Sequence, residues 1–91
     1  MPGTSDERDF SGLEGGELSS AVDHIRAVVT WYSTQIVAER RAPLPDEEKI
    51  ARWTEERKSA HADLQRLETA DAGETARLAG IYATRRRELG A

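Results

Sequence analysis

Three stretches of this chain repeat apolar residues at alternating steps of three and four, the spacing that sets side chains on one face of an α-helix. The first stripe is Val22, Ile25, Val29, Tyr32 and Ile36. The second is Ile50, Trp53, Ala60, Leu64 and Leu67, with Arg57 on the same line. The third is Leu78, Tyr82 and Leu89, with Ile81 beside it. A helix with one apolar stripe must bury it against another helix. The pattern therefore predicts an all-α fold, a small three-helix bundle with coiled-coil-like seams.

Helix-stopping and helix-starting residues bound each stripe. Ser19 or Ser20 can cap the first helix, expected over residues 19–41, and Arg40 and Arg41 suit its negative C-terminal end. Ala42-Pro43-Leu44-Pro45 then breaks it, since proline cannot donate to the helical ladder and disfavours helix in the residue before it. Pro45 fits the first position of a second helix over 46–69, with Asp46, Glu47 and Glu48 in its positive first turn. Asp71 and Glu74 have capping-box spacing and open a third helix over 72–89, closed by Arg85, Arg86 and Arg87 before Gly90. The short proline-bounded loop makes the first two helices an antiparallel hairpin, and the third is shorter.

Composition bears on how firmly such a bundle holds. Leu, Ile, Val and Phe account for 16 of 91 residues, under the roughly one-fifth below which a chain begins to look disordered. A core this lean yields only about 3–5 kcal/mol, so a partner or self-association is expected to complete it. Residues 1–17 carry five acidic residues against Arg8 alone, a net −4, whereas 18–91 carry twelve of each sign. The sequence thus divides into an acidic, disordered N-terminal tail (1–17) and a charge-balanced helical domain (18–91). Nucleic acid is disfavoured as a partner, because phosphate contacts need a basic face. The absence of cysteine excludes a disulfide framework, and no apolar run reaches the length of a membrane span. A cytoplasmic protein without membrane contact is the expectation.

No catalytic, cofactor or metal site is expected. His24 and His61 are the only histidines, and the residues three before them, Ala21 and Lys58, are not the glutamates of a di-metal bundle. No phosphate loop or nucleophile elbow occurs. The arginine triplet is read as a helix C-terminus rather than a DNA contact, since no short turn precedes a recognition helix.

The aromatics point instead to a protein partner. Tyr32 and Trp53 fall on core stripes, but Trp31 lies about 100° round the helix from Tyr32. His24, Val28 and Gln35 share its face and widen the apolar surface beyond one seam. Tryptophan at such a position is a typical interface anchor. The expected partner-binding residues are His24, Val28, Trp31 and Gln35, with Asp6, Glu7 and Asp9 of the tail steering association.

The segment Val29-Thr30-Trp31-Tyr32-Ser33-Thr34-Gln35-Ile36-Val37-Ala38-Glu39-Arg40, the loop Pro43-Leu44-Pro45-Asp46 and the stretch Leu78-Ala79-Gly80-Ile81-Tyr82 carry a family resemblance. The chain resembles, over residues 18–89, the small helical antitoxins of epsilon–zeta type toxin–antitoxin pairs. That resemblance implies a non-enzymatic inhibitor, a three-helix bundle that lays a helix over the nucleotide site of a kinase toxin acting on a cell-wall nucleotide-sugar precursor. No individual inhibitory residue carries over from the family to this chain. The alternative is a helical adaptor that homodimerises through the second face of its first helix.

Overall fold

The structure, a computed structural model, describes residues 16–91 with their side chains. Of the acidic tail expected over 1–17, only Gly16 and Glu17 have described side chains; those of Asp6, Glu7 and Asp9 lie outside the described residues. Three helices follow one another: α1 (Pro2–Arg40), α2 (Glu47–Arg66) and α3 (Ala72–Leu89). The all-α, three-helix architecture read from the stripes is the architecture observed.

The helix starts are built from aspartates. Asp46 has an extended backbone, and its side chain accepts the amide of Lys49 at 3.1 Å. Pro45 therefore precedes the cap rather than occupying the first helical position. Asp71 does the same for α3, accepting the amide of Glu74 at 2.8 Å. The second half of the capping box does not form. Glu74 instead takes Arg77 in a two-pronged bond, from Nε at 2.8 Å and Nη2 at 3.0 Å, which lowers the Glu74 carboxyl below its ordinary range. Ser19 and Ser20 cap nothing; the helix runs through them.

Helix α3 stops at Gly90, whose φ of 72° is the left-handed conformation that only glycine adopts without strain. The amide of Gly90 bonds the carbonyl of Arg87, and that of Ala91 the carbonyl of Arg86, satisfying the orphan acceptors of the last turn. Between α1 and α2, the Glu39 carboxylate accepts the backbone amide of Asp46 at 3.0 Å and ties the loop across its base.

Helix α1 lies between the other two, and α2 and α3 meet each other mainly through side-chain tips. The core consists of Ala21, Ile25, Val28 and Tyr32 from α1, Ala60 and Leu67 from α2, and Leu78 and Tyr82 from α3. Ile36 and Ile50 are buried toward the loop end of the hairpin. The α1 seam thus runs 21, 25, 28, 32 and 36, not 22, 25, 29, 32 and 36. Two neighbours press on α1 from different sides, so Ala21 and Val28 are fully buried while Val22 and Val29 sit half-buried at the edge.

Polar links cross the apolar layer. The hydroxyl of Tyr82, on a side chain 1% exposed, donates to Asp63 Oδ2 at 2.6 Å. Arg66 lies 3.6 Å from the other Asp63 oxygen and 3.7 Å from Glu74, joining α2 to the start of α3. Arg57, the charge on the α2 stripe, donates to the Ser33 hydroxyl at 3.1 Å.

A candidate partner-binding face on the first helix

The outer face of α1 takes its character from a run of sequence. A third of all residues are charged, yet none of the twelve from Ala27 to Ala38 is. Half of that helical circumference faces the core, where neutrality is required. The other half does not, and a solvated helix face ordinarily carries charge there. On this face Thr30, Thr34, Val37 and Ala38 are exposed, with Val37 at 46%. This charge gap was present in the sequence and is a plainer signal than the aromatic spacing.

A shallow groove of about 420 Å³ runs along the same face, lined by Arg26, Ala27, Thr30, Trp31, Thr34 and Gln35, with Ala91 from the end of the chain. Trp31 is half-buried at its margin. Its ring stands edge-on to Tyr32, with centroids 5.4 Å apart, and to Trp53 across the hairpin at 6.0 Å. Lys49 lies 5.6 Å over the Trp53 ring. These edge-to-face pairs fix the indole in place before any partner arrives. Tyr32 itself is in the core, and burial, reinforced by the Glu56 carboxylate beside it, pushes its hydroxyl above the ordinary tyrosine range.

The residues expected to bind a partner are thus divided. Trp31 and Gln35 line the groove. His24 is half-buried on the side facing α3, with its Nδ1 3.3 Å from Arg86 Nη1. Val28 is fully buried among α1, α2 and α3 and presents nothing to the outside, so it is withdrawn from the face; its step from Trp31 places it on the α3 side of the seam. Asp6, Glu7 and Asp9 lie outside the described residues.

Among the described residues no group of three or more metal-ligating side chains occurs, and no helix is long and apolar enough to cross a membrane. No family model, curated protein or solved structure matches the chain.

Proposed function

We propose that the chain is a non-enzymatic binding protein whose partner docks along the outer face of α1, and that it inhibits that partner in the manner of the antitoxins it resembles. The observation that carries the reading is the uncharged run from Ala27 to Ala38, half of it turned outward along a groove with a prepositioned tryptophan at its edge. A neutral helical face with an aromatic anchor and hydroxyl-bearing neighbours suits a helix-in-groove contact with another protein. A lean core that gains stability on binding fits a chain that persists only in complex. The class of partner, a zeta-type kinase, comes from the resemblance of residues 29–46 and 78–82.

The test is co-expression with a zeta-type kinase toxin, scored as rescue of growth and as loss of nucleotide-sugar phosphorylation. Thr30→Glu and Thr34→Glu place charge on the exposed face without disturbing the core. Each is expected to weaken binding at least tenfold, about 1.4 kcal/mol, with helix content unchanged. Normal inhibition by both variants overturns the proposed face.

The homodimeric adaptor is the second reading, favoured by the same neutrality, since two copies of this face meet without like-charge repulsion. Sedimentation of the chain alone separates the two. A dimer that Thr34→Glu returns to monomer supports the adaptor.

A further inference from the structure

On the side of the α1–α2 hairpin away from α3, a second recess of about 380 Å³ is lined by Ser33, Thr54, Arg57, Lys58 and His61. Four of these come from α2 at positions i, i+3, i+4 and i+7, so they share one flank of that helix. Ser33 meets them from α1. Every lining side chain except Thr54 can offer a hydrogen-bond donor to the recess, and none is a carboxylate. One turn from Ser33 along this flank stand Val29 and Val37, while Glu55 and Glu56 fall on other sides of α2.

Arg57 is the centre of the recess. It is half-buried, and among the described residues no acidic group lies within ion-pair distance of it. Its only hydrogen bond here is from Nη1 to Ser33 Oγ at 3.1 Å. Four of its five N–H donors stay uncommitted, and Ser33, having accepted, keeps its own hydroxyl proton to give. Thr54 is held differently: its hydroxyl donates to the Ile50 carbonyl at 2.7 Å, which commits its proton to the helix and fixes its rotamer at the edge of the recess. A cation at a stripe position, held in a fixed geometry by a neutral hydroxyl rather than neutralised by a carboxylate, keeps its charge available to a ligand.

We infer that this recess binds a phosphoryl group, with Arg57 as the forked ligand, Lys58 as a second positive charge, and Ser33 and His61 as flanking donors. Two permanent cations match the charge of a phosphate dianion, and arginine's planar fork bonds two phosphate oxygens at once. The site lies on a different flank of α1 from the groove at Trp31, and it stands whether or not that groove binds a protein. The phosphoryl group has two sources, free inorganic phosphate or the phosphate of a small metabolite.

The experiment is a nuclear magnetic resonance titration of the full chain with inorganic phosphate and, separately, with ribose 5-phosphate. Sodium chloride at matched ionic strength is the control. Saturable shifts confined to Ser33 and residues 54–61 are expected. Lys58→Glu, at an exposed position, should weaken binding at least tenfold, and Arg57→Gln should abolish it with helix content checked by circular dichroism. Tighter binding of ribose 5-phosphate names an organic phosphate as the ligand; equal binding names phosphate itself. Shifts that rise linearly, match those in chloride, or survive Lys58→Glu unchanged overturn the inference.

Discussion

Tyr82 buries its ring in the shared core and gives its hydroxyl proton to Asp63 on α2, while Arg85 lies 5.0 Å over the ring's centroid. One side chain therefore connects the apolar layer to a polar link between α2 and α3. Hydrogen bonds to charged groups are worth about 1.5–3 kcal/mol. Asp63 keeps partial solvent access and its contact with Arg66, so Tyr82→Phe is expected to cost less, about 1–2 kcal/mol, read as a shift in the urea midpoint at pH 7. The pH dependence follows from the same bond. Burial first, then the Asp63 carboxylate, hold the Tyr82 hydroxyl protonated well above the ordinary tyrosine range. Its folded pKa exceeds the unfolded value of about 10, so its contribution is complete below about pH 10 and falls as pH rises past it. Urea titrations at pH 7 and in the alkaline range should show a shallower alkaline loss in Tyr82→Phe than in the parent. The residual slope belongs in part to Tyr32, whose hydroxyl is also raised.

At the scale of the helices, the aspartate caps set where α2 and α3 begin. Asp71→Ala removes the side chain that holds the Glu74 amide and should cost about 1 kcal/mol, while Asp71→Ser should restore most of it; thermal melts followed at 222 nm check both. The start at Asp71 was legible because a capping residue with a glutamate three positions on is a local signal, whereas Asp46 was read as part of the first turn behind Pro45 and proved to be the cap itself. The seam of α1 was legible only approximately. Val28 and Val29 are chemically equivalent neighbours and Ala21 is small, so periodicity alone does not choose between two phases a residue apart. The choice came from α3, which packs on the Ala21–Val28 side and lies some sixty positions away in sequence. The pairing of Tyr82 with Asp63 was hidden for a related reason, since the two stand on different helices with a break between them and share no periodicity. Arg57 stood out as a charge on a stripe, but its neutral partner Ser33 did not, because a search for a counter-ion looks for carboxylates. The uncharged outer face needed no structure to be noticed, only attention to what is missing between Ala27 and Ala38.

For the molecule as a whole, the lean composition becomes a thin core around one helix. Ile25 is fully buried at its centre, and Ile25→Ala is expected to cost about 2–5 kcal/mol, comparable with the whole stability of a domain this small. The variant should be largely unfolded near 37 °C by circular dichroism when alone, and a bound partner should restore its helix signal. The central place of α1 also orders the ways in which the bundle can come apart. Because α2 and α3 each lean on α1 and barely on one another, either can swing off while the other pair persists. Hydrogen–deuterium exchange should accordingly sort the amides into three classes. Those of α1 around Ile25 to Tyr32 exchange last, at the rate of global unfolding, while α2 and α3 each exchange sooner and with their own denaturant dependence. A protein that grips the outer face of α1 would thus be holding the last element to open, and would slow its loss without touching either of the helices that leave first.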